Sequence, residues 1–168
     1  MQKSPLVAID TNIPLLLAEG DDTTIEALKI VRERMRPADI FVPPTVQGEL
    51  LHQAECNPSK RLRALAEKAL LELRARWHFH PTDLSSTQEA IVCEAARKIL
   101  FAGLIPAAEI NDARIIAESA VLNSILLVSN DSHLLKADHR RLGLLFRELD
   151  LPVPLIVSPH EVVRKFYR

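Results

Sequence analysis

Two cysteines, four glycines, one Trp and one Tyr stand among 168 residues, and each scarcity narrows the range of functions. Cys56 and Cys93 lie far apart with no CxxC spacing, which argues against a thiolate metal site or a disulfide framework and fits a reducing, cytoplasmic setting. The glycines form neither GxxxxGK nor GxGxxG, so the common phosphate-cradling loops are excluded. With five Phe beside the lone Trp and Tyr, there is little from which to build a base-stacking platform. The formal charge is -1, so no global basic field draws in nucleic acid or an anionic membrane, and any anionic partner must be held locally. The apolar runs around residues 5–9 and 13–18 fall well short of the roughly 20 residues that cross a bilayer. The N-terminus has no secretory-signal layout, and no membrane association is expected.

What is present is a chain that is 48% hydrophobic and able to bury one core, so residues 1–168 are expected to form a single domain. "PLVAI", "IFVPP", "WHFHP", "SILLVS" at 124–129 and "PLIVS" read as short strands. Between them lie helical patterns over 22–36, from Pro43 and Pro44 through Gln53, over the Leu62–Leu73 repeat, over 86–102, and from about Ala107. Pro159 opens a terminal helix. Strands alternating with helices predict an α/β fold with a mostly parallel sheet.

In such a sheet, ligands bind beyond the carboxyl ends of the strands. Asp10 follows "LVAI" and Asp131 follows "ILLVSN", both at such an end; Glu49 and Asp112 lie about a turn inside predicted helices. Singly, each has a plain explanation: Asp10 and Asp131 as helix caps, Glu49 as a solvated helix residue, Asp112 as a favourable charge near a helix start. Four acids converging on one sheet edge need another, because like charges in one site repel unless a cation neutralises them. Oxygen-only ligands favour Mg²⁺ or Mn²⁺ over Zn²⁺.

The segments "IDTN", "PPTVQGEL", "NDARIIAESA" and "LLVSND", in this order and spacing, resemble the PIN-domain ribonucleases. The likeness runs from Leu6 to "LIVSPHEVVRKF" and is greatest to the toxin component of bacterial VapBC-type toxin–antitoxin pairs. It implies a single PIN-like domain with a central parallel sheet of about five strands flanked by helices. It also implies hydrolysis of RNA phosphodiester bonds with Mg²⁺ or Mn²⁺ as cofactor. The acidic, metal-holding set falls on Asp10, Glu49, Asp112 and Asp131, with Asn12 and Ser129 in support. The resemblance further implies an antitoxin partner that covers the acidic cleft with a basic residue, and a homodimer.

Other readings compete. Glu109 fits either a fifth acid at the site or a charge at the helix start. Glu118 falls on a different helical face from Asp112 and reads as solvated or salt-bridged. The histidines, including His133, show no metal spacing and read as structural or exposed. The basic residues between Lys60 and Arg76, with Arg140, Arg141 and Arg147, read either as a solvated face or as a guide for RNA phosphates. An aspartyl-phosphate phosphatase would need a second Asp where Asn12 stands. A housekeeping RNA-processing nuclease and a non-catalytic RNA-binding or interaction module remain as alternatives, the second at odds with four intact acids.

Overall fold

Apolar residues on both faces of a short strand force it to the middle of a layered fold, and β1 (Leu6–Ile9) is such a strand: Val7, Ala8 and Ile9 have no exposed surface. In the computed structural model, which describes residues 5–35 and 38–166, β1 is the central strand of a five-stranded sheet. The order is β3-β2-β1-β4-β5, with β2 Asp39–Val42, β3 His80–Pro81, β4 Ser124–Val128 and β5 Leu155–Val157. Every neighbouring pair is parallel.

Nine helices complete the described residues: α1 Asn12–Glu19, α2 Asp22–Arg34, α3 Pro44–Cys56, α4 Lys60–Ala75, α5 Ser86–Phe101, α6 Ile110–Val121, α7 Ser132–Lys136, α8 His139–Arg147 and α9 Pro159–Phe166. The predicted end of α2 at residue 36 lies outside the described residues. The predicted strand "WHFHP" shortens to His80–Pro81. His78 adopts φ 51°, and the Phe79 N–H still bonds the Leu73 carbonyl at the end of α4, so the chain is finishing a helix where extension was expected. Pro81 is tolerated because β3 is an edge strand. The helix expected from Ala107 starts at Ile110, because Pro106 and Glu109 first close a turn.

Between β1 and β4 the register shifts, with Leu6 opposite Ser124 but Val7 opposite Leu126. Ile125 is the extra residue of this bulge, and half of it is exposed. The buried Ser124 hydroxyl repairs the ladder, accepting from the Ala8 N–H at 3.2 Å and donating to the Leu126 carbonyl at 2.6 Å. Beyond the bulge the strands run in step to their carboxyl ends, where Asp10 N–H bonds Val128 and Ser129 N–H bonds Val157. Ser124→Ala removes the hydroxyl that meets the Ala8 N–H and the Leu126 carbonyl at the bulge and is expected to cost about 0.5–1.5 kcal/mol. Urea unfolding measures this, and a variant as stable as the parent would remove the hydroxyl from any role in the ladder.

Candidate active site

Asp10 leaves β1 at the carboxyl edge and is 4% exposed. One carboxylate oxygen accepts from Ser129 Oγ at 2.7 Å and from the Asn12 amide; the other accepts from the Thr11 N–H at 2.6 Å. Asn12 also accepts from the Asn130 N–H at 2.9 Å, so β1 and β4 are joined through the very residues that hold Asp10. Asp10 does not cap α1: the cap position is Thr11, which makes no side-chain capping bond. The Thr11 hydroxyl instead donates to Glu49 on α3, and Asn111 Nδ2 donates to the other Glu49 oxygen at 2.7 Å. Asp131 does cap a helix, accepting from the N–H groups of His133 and Leu134 at the start of α7.

All four predicted acids, Asp10, Glu49, Asp112 and Asp131, line one cleft of about 610 Å³ at the carboxyl edge of the sheet. Its remaining walls come from Thr11, Asn12, Thr45, His52, Gln53 and Asn111, with Leu15 and Gly48. Ser129 stands behind it, bonded to Asp10 and to the Asp131 N–H.

Glu109, weighed as a fifth acid, and His133, read as structural or exposed, both stand beside the site. Glu109, Asp112 and His133 each offer one potential ligand atom, all within 4.8 Å of one another. His133 Nδ1 is 3.5 Å from Asp112 Oδ2 and 3.7 Å from Asp131 Oδ1. No local spacing motif could reveal His133, because Glu109 and Asp112 lie on a different helix. Its nearness to the strand-end Asp131 was the available signal.

Of the two readings of Glu118, solvated or salt-bridged, the second holds: it has no exposed surface and is ion-paired to Arg114 at 3.5 Å. Residues from Ala113 to Val121 are almost wholly buried, so α6 has no solvent face there on which an acid can sit. Three of the basic residues between Lys60 and Arg76 make contacts within the fold. Lys68 donates to the Ala18 carbonyl at 2.6 Å, Arg63 to that of Asn57 at 2.6 Å, and Arg76 lies over the Trp77 ring.

Charge is expensive in this cleft. Burial pushes the Asp10 carboxyl up to about 6, with Glu49 and Asp131 adding repulsion and hydrogen bonds from Ser129 and Thr11 opposing it. Asp112 is pushed further, to about 7, by burial and by Asp131, Asp10 and Glu109, with His133 working the other way. Its Oδ2 atom is buried and has no hydrogen-bond partner. An orphaned carboxylate oxygen amid other acids is the arrangement a cation completes, so the donor set fits a divalent metal ion.

Carboxyls with raised folded-state pKa values favour the protonated form. Their contribution to stability is therefore complete below about pH 4 and is lost as pH rises through 6 to 7. With chelator present, Asp112→Asn should melt above the parent protein at pH 8, and the gap should shrink towards pH 5. Parallel melting profiles across that range would contradict the charge balance described.

No curated protein matches the sequence at a significant level. Among solved structures, VapBC2 from Rickettsia felis, bound to a DNA fragment from its promoter, aligns with a TM-score of 0.61 at 18% identity. That alignment covers 91% of this chain and 98% of the other. FitAcB from Neisseria gonorrhoeae aligns with a TM-score of 0.52 at 13% identity, over 91% and 97% of the two chains. The family model described as "PIN domain" matches residues 7–140. With that match, the α/β sheet order and the acids at the sheet edge, the chain belongs to the PIN domain family.

Proposed function

We propose that this protein is a Mg²⁺- or Mn²⁺-dependent endoribonuclease and the toxin of a type II toxin–antitoxin pair. One observation carries the chemistry: four carboxylates share one cleft, and one of them, Asp112, presents a buried oxygen with no hydrogen-bond partner. PIN family membership supports nuclease action. The toxin role is supported by the resemblance of the four motifs to VapBC-type toxins and by the fold shared with VapBC2 and FitAcB.

In this reading Asp10 and Asp112 are direct metal ligands, and Glu49 and Asp131 complete the set directly or through water. The bound cation supplies Lewis acidity at the scissile phosphodiester. The protein's own groups keep the acids in place: Asn12 and Ser129 orient Asp10, Thr11 and Asn111 orient Glu49, and the start of α7 orients Asp131. The neutral walls of the cleft leave shape and amide contacts, rather than lysine or arginine, to receive the RNA. The partners are RNA, an antitoxin whose basic side chain replaces the cation's charge in the cleft, and a second copy of the chain; the setting is cytoplasmic.

After chelation the protein should cleave no RNA, and added Mg²⁺ or Mn²⁺ should restore cleavage. Asp10→Asn should reduce cleavage to background with unchanged circular dichroism, since the amide cannot supply the ligand's charge. Full activity of that variant at matched metal concentration would sink the assignment.

A further inference from the structure

A buried carboxylate costs several kcal/mol unless its oxygens are partnered, so a fully buried Glu on the helix that carries Asp112 needs a reason. Both oxygens of Glu118 reach across to the first turn of α3. Oε2 accepts from the Thr45 N–H at 3.1 Å, and Oε1 from the Thr45 hydroxyl at 2.6 Å. Arg114, one turn earlier on α6, supplies the countercharge, donates to Thr45 Oγ1 at 3.3 Å and pairs with Glu89 of α5 at 2.7 Å.

α3 lacks what Glu118 provides. Its cap position is Pro43, with no side-chain oxygen, and its first turn carries no acid. A helix start leaves unpaired N–H groups and a partial positive charge that an acceptor stabilises. Glu118 does from α6 what a cap does from within a helix. One turn further along α3, Glu49 accepts from Asn111, which neighbours Asp112. The antiparallel pair α3 and α6 is thus tied at two levels: Thr45 to Glu118, and Glu49 to Asn111.

We propose that Glu118 is a positioning residue: through Thr45 it fixes α3 against α6, sets the separation of Glu49 from Asp112 across the cleft, and so tunes divalent-cation affinity. Packing alone would be served as well by Met or Leu, which bury at no electrostatic cost. A carboxylate that must meet one N–H and one O–H of the same residue fits only one axial position of α3. The cation half of the inference rests on the nuclease reading; the geometric half does not.

Three variants separate positioning from packing: Glu118→Ala, Glu118→Gln and Glu118→Met. Mn²⁺ binding is measured by calorimetry without RNA, thermal melting reports folding, and a crystal structure is determined for Glu118→Met. Glu118→Met should fold and yet bind Mn²⁺ about 10–100-fold more weakly, the scale of losing a group that orients a ligand. Glu118→Gln, which keeps an acceptor for the Thr45 N–H, should recover most of the affinity. In the Glu118→Met structure the Glu49–Asn111 bond should be broken and the Glu49–Asp112 separation changed. Parental Mn²⁺ affinity in Glu118→Met, or an unchanged separation, overturns the proposal. If Glu118→Ala fails to fold, the Gln and Met variants carry the test. A parent protein that neither binds Mn²⁺ nor cleaves RNA overturns the nuclease reading instead, and the Glu118→Met structure still judges the tie.

Discussion

Mutual repulsion among carboxylates is the constraint around which the carboxyl edge of this sheet is organised. Asp10, Glu49, Asp112 and Asp131 arrive from a strand end, two helices and a strand-to-helix turn. Neutral donors from neighbouring elements hold three of them: Asn12, Ser129 and Thr11 for Asp10, Thr11 and Asn111 for Glu49, and backbone N–H groups for Asp131. These bonds also join β1 to β4, α1 to α3 and α3 to α6, so the contacts that restrain the acids are the contacts that assemble the edge. Asp112 is served least, and burial with repulsion from Asp131, Asp10 and Glu109 pushes its carboxyl furthest.

Much of this was legible from residue order. Strand ends in a parallel sheet face one edge, so the position of Asp10 after "LVAI" and of Asp131 after "LLVSN" already brought them together. Helices with one apolar stripe, such as α4, could be read from periodicity alone. α8, absent from the predicted helices, carried the same signal: Leu142, Leu145 and Phe146 stand at i, i+3 and i+4 behind the cap residue Asp138. β3 also escaped prediction beyond two residues, since the left-handed turn at His78 depends on how α4 ends.

The parts of the site that escaped are those made by distant segments meeting. His133 and Asn111 gain meaning only once α7 and α3 lie against α6. Glu118 is a more instructive case, because a usable signal was present. In "DARIIAESAV" Arg114 and Glu118 stand one turn apart on the same flank, the spacing of an i,i+4 ion pair. Read that way, Glu118 is paired rather than solvated.

The helix starts around the cleft form a separate pattern. α2, α4, α5 and α8 open on Asp21, Ser59, Ser85 and Asp138, each bonded to its own helix's N–H groups. α1, α3 and α6, which carry Asn12, Glu49 and Asp112, open on Thr11, Pro43 and Glu109 without a side-chain cap. An engineer seeking a more heat-resistant version would ordinarily begin by installing Ser or Asp at bare helix starts. Here that route is closed at the three places where it looks most open. Thr11 is committed to Glu49, an acid in place of Pro43 would compete with Glu118 for the start of α3, and a new acid beside Asp112 would add to the repulsion. Durability in this protein has to be sought on the far side of the sheet.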